Sequence, residues 1–119
     1  LDHWELELTA RLAVPVAEAT AVQRTLAYLD WSLSGDFCES DLVAMSDPRL
    51  RRPMTRRWVE RMTPWLVLPH DLDPALRARL IAVRLLADGA WHADATDFFP
   101  PNASERDHVR SLAHDLLKG

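Results

Sequence analysis

Aromatic and thioether side chains are the residues of this sequence whose types and spacing most strongly suggest a chemical role. Met54, Trp58, Met62 and Trp65 follow one another at helical intervals, which places them on one face. Small-molecule cavities are lined mainly by such groups, and methionine adapts to varied ligands. Ordinary core packing is the alternative for any single residue. The sequence predicts an apolar ligand pocket, with candidates Tyr28, Trp31, Phe37, Met54, Trp58, Met62, Trp65, Trp91 and His92.

Titratable side chains indicate no reaction or metal. Asp88 and His92 share a helix face, which is half of a metal site, but no partner pair is evident. Glu105 and His108 form a single Glu-x-x-His pair, whereas a di-iron bundle needs two. The single cysteine, Cys38, excludes an internal disulfide and a cysteine-built zinc site. We therefore predict no catalytic residue, no metal and no cofactor.

A cluster of arginines raises the alternative of nucleic-acid binding. The net charge of −4 and the pI near 5.7 argue against a chain that grips phosphates. An exposed helix face, offset by acidic residues elsewhere, is the simpler interpretation. The arginines concerned are Arg49, Arg51, Arg52, Arg56, Arg57 and Arg61.

Length and composition indicate one folded domain over residues 1–119. The chain has 119 residues, of which 48% are apolar, and it contains only three glycines. No apolar run approaches the roughly 20 residues of a membrane span, and no signal peptide precedes the first periodic segment. We expect a soluble cytoplasmic domain that does not contact a membrane.

Hydrophobic periodicity predicts an all-α bundle of about five helices. The first runs from Leu1 to about Ala13, and the second includes Pro15 in its first turn and ends at Gly35. Asp36 is expected to cap a short helix that contains Phe37.

Prolines divide the second half of the predicted bundle. Pro53 is expected to break the chain into a turn, with a helix from Met54 to Pro69. The longest helix begins at Asp73-Pro74 and extends to about Asp97 or Phe98. Ser104 and Asp107 are expected to form the capping box of the last helix.

The longest predicted helix carries apolar residues on nearly all sides. A surface helix needs only one apolar stripe, so this one should be buried against its own domain and against something else. A symmetric dimer, in which the last two helices of each copy meet, would cover it. The alternative is a central helix in a monomer. Gly89 within this helix suggests a close approach of another helix.

The segment Arg84-Leu-Leu-Ala-Asp-Gly-Ala-Trp91, followed by a Pro-Pro break and Ser-Glu-Arg, resembles the C-terminal half of TetR-type transcriptional regulators. Leu72-Asp-Pro-Ala-Leu76 resembles the start of the same long helix in that family. The resemblance covers about residues 70–117. Ala90 stands where the family often has leucine, which leaves more room beside Trp91.

The resemblance implies a domain that senses a small apolar effector and forms a homodimer through its last two helices. It also implies that operator DNA is bound only by a separate N-terminal helix-turn-helix domain, which we expect to be absent from this chain. The intact protein would then be a transcriptional regulator, with repression as the expected mode. The residues expected at the dimer interface are Leu80, Val83, Ala87, Gly89, Val109, Leu112 and Leu116.

Two other function classes stay open at this stage. One is a helical protein–protein interaction module without a ligand pocket. The other is a small helical enzyme with a hydrophobic cavity, for which the sequence offers only Asp88, His92 and Tyr28 as inward titratable groups. A cavity in the structure would distinguish the sensor from the interaction module.

Overall fold

The computed structural model describes residues 2–34 and 48–118, with side chains described for 4–34 and 56–118. Over these ranges the chain forms five α-helices and no strand, which confirms the all-α prediction. A 3-10 helix, Val16–Glu18, precedes the second α-helix. The predicted short helix with Phe37 and the side chain of Met54 lie outside the described residues. The α-helices are α1 (Asp2–Ala10), α2 (Ala21–Ser34), α3 (Pro48–Leu66), α4 (Pro74–Thr96) and α5 (Ala103–Lys118).

The start and end of α4 agree with the sequence. Asp73 accepts a hydrogen bond from the backbone N–H of Leu76 at 3.2 Å, and Pro74 follows it in the first turn. Asp97 ends the helix in a left-handed conformation, with φ of 52°. The helix is continuous through Asp88 and Gly89, although an Asp-Gly pair is typical of a hairpin turn.

The capping box of α5 lies two residues earlier than predicted. Asn102 Oδ1 accepts from the N–H of Glu105, and Glu105 Oε1 accepts from the N–H of Asn102, both at 2.9 Å. The prediction of Ser104 and Asp107 is therefore wrong. The longer glutamate side chain reaches back to the cap residue, as this motif requires.

The predicted break at Pro53 is also wrong, because α3 is continuous from Pro48 to Leu66. Pro48 occupies the first turn, where a missing N–H costs nothing. An interior proline removes one main-chain hydrogen bond at a cost of about 3 kcal/mol, which packing of the whole helix can outweigh.

The core is built around α2, which contacts all four other α-helices. Its Leu29 and Trp31 have no exposed surface. Within the single chain α4 buries one face and leaves Leu85 56% exposed, so its own domain covers only part of its apolar surface. Cover of the remainder by something else stays a prediction.

Three residues predicted at a dimer interface lie in this core instead. Leu80, Val83 and Ala87 are at most 1% exposed within the single chain. They face α2 and the other core residues, so they have no surface left for a partner. Their assignment to an interface is corrected to core packing.

Gly89 lies on the exposed side of α4, and an added Cβ would meet nothing within 4 Å. No neighbouring helix of this chain therefore explains the glycine. The predicted close approach is not found within the described part of the subunit.

Arg106 joins the ends of three helices. Its Nη1 donates to Asp94 Oδ2 at 2.8 Å and to the carbonyl of Leu33 at 2.9 Å, and its Nε donates to the carbonyl of Pro101 at 2.9 Å. The hydrogen bond with Asp94 raises the pKa of Arg106 above its usual value. Both partners are largely buried, with side chains 18% and 13% exposed.

We expect Arg106→Met to lower the free energy of unfolding by about 3 kcal/mol, because it leaves the carboxylate of Asp94 buried without its partner. Urea unfolding followed by tryptophan fluorescence measures this change. Arg57→Met, at an exposed position of α3, is the matched control and should change stability by less than about 0.5 kcal/mol. Equal losses in the two variants would contradict this role for Arg106.

Candidate functional site

A chain of aromatic rings crosses the helices next to the candidate site. Trp58 lies 5.5 Å from Trp91 and 4.2 Å from Trp4, and Trp4 lies 4.8 Å from Trp31, measured between ring centroids. All three pairs meet edge to face, an arrangement that aromatic rings favour. The tryptophan chain therefore holds α1, α2, α3 and α4 together. Trp4 of α1 is not among the predicted pocket residues, since apolar residues around it follow no single helical spacing.

An apolar groove of about 450 Å³ opens between α2, α3 and α4. Its volume falls in the range of about 300–1,000 Å³ that is usual for small-molecule sites. Val59 and Val67 form part of its rim and are 61% and 52% exposed. The lining residues are Tyr28, Trp58, Val59, Met62, Thr63, Leu66, Val67 and Asp88.

The wall of the groove is a second face of α3, next to the face that enters the core. Met62 and Trp65 are buried, whereas Thr63 and Val67 are exposed. Arg24 of α2 fixes the end of this helix, since its Nη1 donates to the carbonyls of Pro64 at 2.9 Å and Val67 at 3.1 Å. The guanidinium thus satisfies backbone carbonyls that the helix end leaves free.

Tyr28 and Asp88 form the polar end of the groove. The Tyr28 hydroxyl donates to Asp88 Oδ1, and Asp88 Oδ2 lies 3.7 Å from Arg84 Nη1. Burial, followed by the hydrogen bond and the negative charge of Asp88, raises the pKa of Tyr28 well above its ordinary value. The phenol therefore stays a neutral donor over the physiological pH range. The Asp88 side chain is 41% exposed, so solvent and ligands can reach it.

The structure brings three of the predicted pocket residues together at the groove, namely Tyr28, Trp58 and Met62. Trp31 and Trp65, at 0% and 4% exposure, pack in the core instead. Their helical spacing matched that of the lining residues, because one helix supplies both the core and the groove.

Two further pocket candidates lie elsewhere. Trp91 contacts Trp58 from the side of α4 and is not part of the lining. His92 lies on the exposed side of α4, so the prediction that it supplies the polar group of the pocket is wrong. Asp88, one turn earlier, takes that position. Phe37 and the side chain of Met54 lie outside the described residues.

Four lining residues of the groove were not predicted from the sequence, namely Val59, Thr63, Leu66 and Val67. Val59 lies within the arginine-rich helix, and Val67 directly follows its last residue. These two apolar residues were the only sign in the sequence of an outer wall. The sequence suggests Asp88 as half of a metal site and as an inward titratable group of a possible enzyme, but not as a pocket residue of the sensor. Its pairing with Tyr28 joins residues 60 positions apart and has no local signature.

The described residues contain no group of three or more His, Cys, Asp or Glu side chains that could hold a metal ion. Within the same ranges, no helix is both long and apolar enough to cross a membrane.

Comparisons with known proteins assign no family to the chain. No protein-family model, no curated protein and no solved structure matches it.

The raised pKa of Tyr28 predicts a loss of stability at alkaline pH. The unfolded chain releases the phenolic proton near pH 10.0, whereas the folded chain retains it, so ionisation stabilises the unfolded state above that pH. The contribution of Tyr28 to the free energy of unfolding is therefore fully present below pH 10.0 and falls by about 1.4 kcal/mol per pH unit above it. Urea unfolding at several alkaline pH values measures this slope.

Tyr28→Phe is the control, since it keeps the ring and should remove this part of the pH dependence. Tyr28 is the only tyrosine of the chain, so tyrosinate absorbance reports on it alone. Ionisation of the folded protein near pH 10.0 would contradict the buried hydrogen bond.

Proposed function

We propose that this chain is the effector-binding and dimerisation domain of a TetR-like transcriptional regulator, which acts as a repressor in the intact protein. The observation that carries the proposal is the apolar groove between α2, α3 and α4, with Trp58 and Met62 in its wall and Tyr28 and Asp88 at its polar end. An apolar enclosure with a few fixed polar groups suits a small organic effector. The sequence resemblance over residues 70–117 supports the same proposal.

Uncovered apolar side chains on the last two helices support a homodimer. Leu85 of α4 is 56% exposed, and Leu112 and Leu116 of α5 are 65% and 40% exposed. Val109 is only half-buried against the core. A second copy related by a two-fold axis would remove these leucines from water. The open space beside Gly89 would let a helix of that copy approach the backbone of α4 closely.

The proposed mechanism is a shift between two arrangements of the helices that border the groove. An effector that binds one arrangement more tightly increases its population. In a dimer, this shift would change the separation of two DNA-reading domains, which must match successive major grooves. Operator DNA would be a partner only through such a separate domain, and the regulator would act in the cytoplasm.

A protein–protein interaction module is the second candidate, and the exposed rim of the groove favours it. Val59 and Val67 would suit the apolar face of a partner helix as well as a small molecule. An enzyme has less support, because His92 is not among the described lining residues, which leaves Asp88 and Tyr28 as the titratable groups there.

The dimer proposal predicts that Leu112→Arg combined with Leu116→Arg gives a folded monomer. Both side chains are already largely exposed in the single chain, so arginine should be tolerated there but would place charges in the interface. Light scattering measures the mass and circular dichroism the helix content. Leu6→Arg on α1, where leucine is 70% exposed, is the control and should stay dimeric. A wild-type chain that stays monomeric at high concentration would contradict the dimer.

The groove predicts a specific fluorescence response to a neutral aromatic alcohol such as phenylbutanol. Binding should shift tryptophan emission to shorter wavelength, because the ligand displaces water from the indole of Trp58. Trp58→Phe should remove most of the shift while keeping an apolar wall. Trp65→Phe, at a core position 4% exposed, should retain it. An equal shift in both variants would argue against binding in the groove.

The regulator assignment has its own test in the coding sequence upstream of Leu1. It should encode three short helices, the last of them basic and suited to the major groove. A different kind of upstream sequence would contradict the regulator assignment and leave the groove and the dimer to be judged by the two experiments above.

A further inference from the structure

The groove has a marked difference in charge between its two sides. The side formed by α3 offers indole, thioether and aliphatic groups, and its described polar side-chain groups are the Thr63 hydroxyl and the indole N–H of Trp58. The side formed by α4 offers Asp88, the only carboxylate among the described lining residues. Those described residues include no lysine, arginine or histidine. A bound molecule would therefore meet negative charge at one end and apolar surface along its body.

The hydrogen bonds of Asp88 leave it able to accept another donor. A carboxylate has about four acceptor positions, and Tyr28 uses one of those on Oδ1. Arg84 is 3.7 Å from Oδ2, which is an ion-pair contact rather than a short hydrogen bond. Both of these side chains are well exposed, at 38% for Arg84 and 41% for Asp88, so the pair is screened by water and contributes little.

The aromatic wall adds to the preference for positive charge. Trp58 and Tyr28 both line the groove, and a cation that lay over the face of either ring within about 6 Å would be attracted to it. Met62 and Leu66 supply the polarizable and aliphatic surface that an apolar body needs. An anionic head group that took the same place beside Asp88 Oδ1 would meet a carboxylate whose charge Arg84, 3.7 Å from Oδ2, offsets only in part.

We propose that the groove binds a hydrophobic monocation, with an ammonium group hydrogen-bonded to Asp88 and an apolar body against Trp58, Met62 and Leu66. This inference rests on the proposed function of the groove and specifies its ligand class. The ammonium group donates to Asp88 while Tyr28 keeps its own hydrogen bond to Oδ1, so binding requires no buried charge to be left unpaired.

The test uses three probes with one apolar body and different head groups, namely phenylbutylamine, phenylbutanol and phenylbutyrate. At neutral pH their head groups are positive, neutral and negative. Calorimetric titration of the wild-type chain should give an affinity for the amine about ten- to a hundredfold higher than for the alcohol, since a charged hydrogen bond is added. The butyrate should bind more weakly than the alcohol.

Asp88→Asn should abolish the difference between amine and alcohol while leaving the affinity for the alcohol within about twofold, because the apolar wall is unchanged. The asparagine can still accept from Tyr28, which favours correct folding. Asp97→Asn at the end of α4 removes the same charge away from the groove and is the control, since asparagine tolerates its left-handed conformation.

Two failures are distinguishable. Equal binding of amine and alcohol to the wild-type chain, with no change in Asp88→Asn, would overturn the monocation inference and leave the ligand groove in place. If none of the three probes binds, both the monocation inference and the proposed effector-binding function are overturned.

Discussion

The structure depends on satisfying polar groups that the central helix buries. Arg24 and Tyr28 lie four residues apart on α2, and they are 8% and 7% exposed. Burial of a guanidinium or a phenol without hydrogen-bond partners would lower the free energy of unfolding by roughly several kcal/mol. Arg24 binds the carboxyl end of α3, and Tyr28 binds Asp88 of α4. These contacts fix two helices relative to α2, and the space left between them is the groove.

The tryptophans fix the other side of that space. Trp58 packs between Trp4 and Trp91, so these two ring contacts hold the indole that forms part of the groove wall in place. Between the same two helices as the Trp4–Trp58 contact, the partly exposed Arg61 of α3 forms an ion pair with Glu5 of α1 at 2.6 Å. The groove is therefore a consequence of how α1, α2 and α4 hold α3, and it does not require a ligand to form.

The sequence predicted those features that depend on local periodicity and capping. The helical class and the limits of α4 follow from apolar spacing and from Asp73-Pro74. Which helix is central did not follow, because α2 buries polar residues whose partners lie about 40 to 60 positions away. For the same reason Leu80 and Val83 were assigned to an interface, although their stripe faces α2. Periodicity identifies an apolar face and leaves open what covers it.

The placement of Asp88 and Leu85 on α4 connects the two parts of the proposed function. Asp88 faces the groove, while Leu85 lies on the neighbouring exposed side of the same helix. A rigid helix can transmit a displacement from one side to the other only if it moves relative to α2. The Tyr28–Asp88 hydrogen bond opposes that movement. A ligand ammonium group that shares the Asp88 carboxylate with Tyr28 would weaken this bond without replacing it, so the proposed effector would reach the uncovered face of α4 through this one contact.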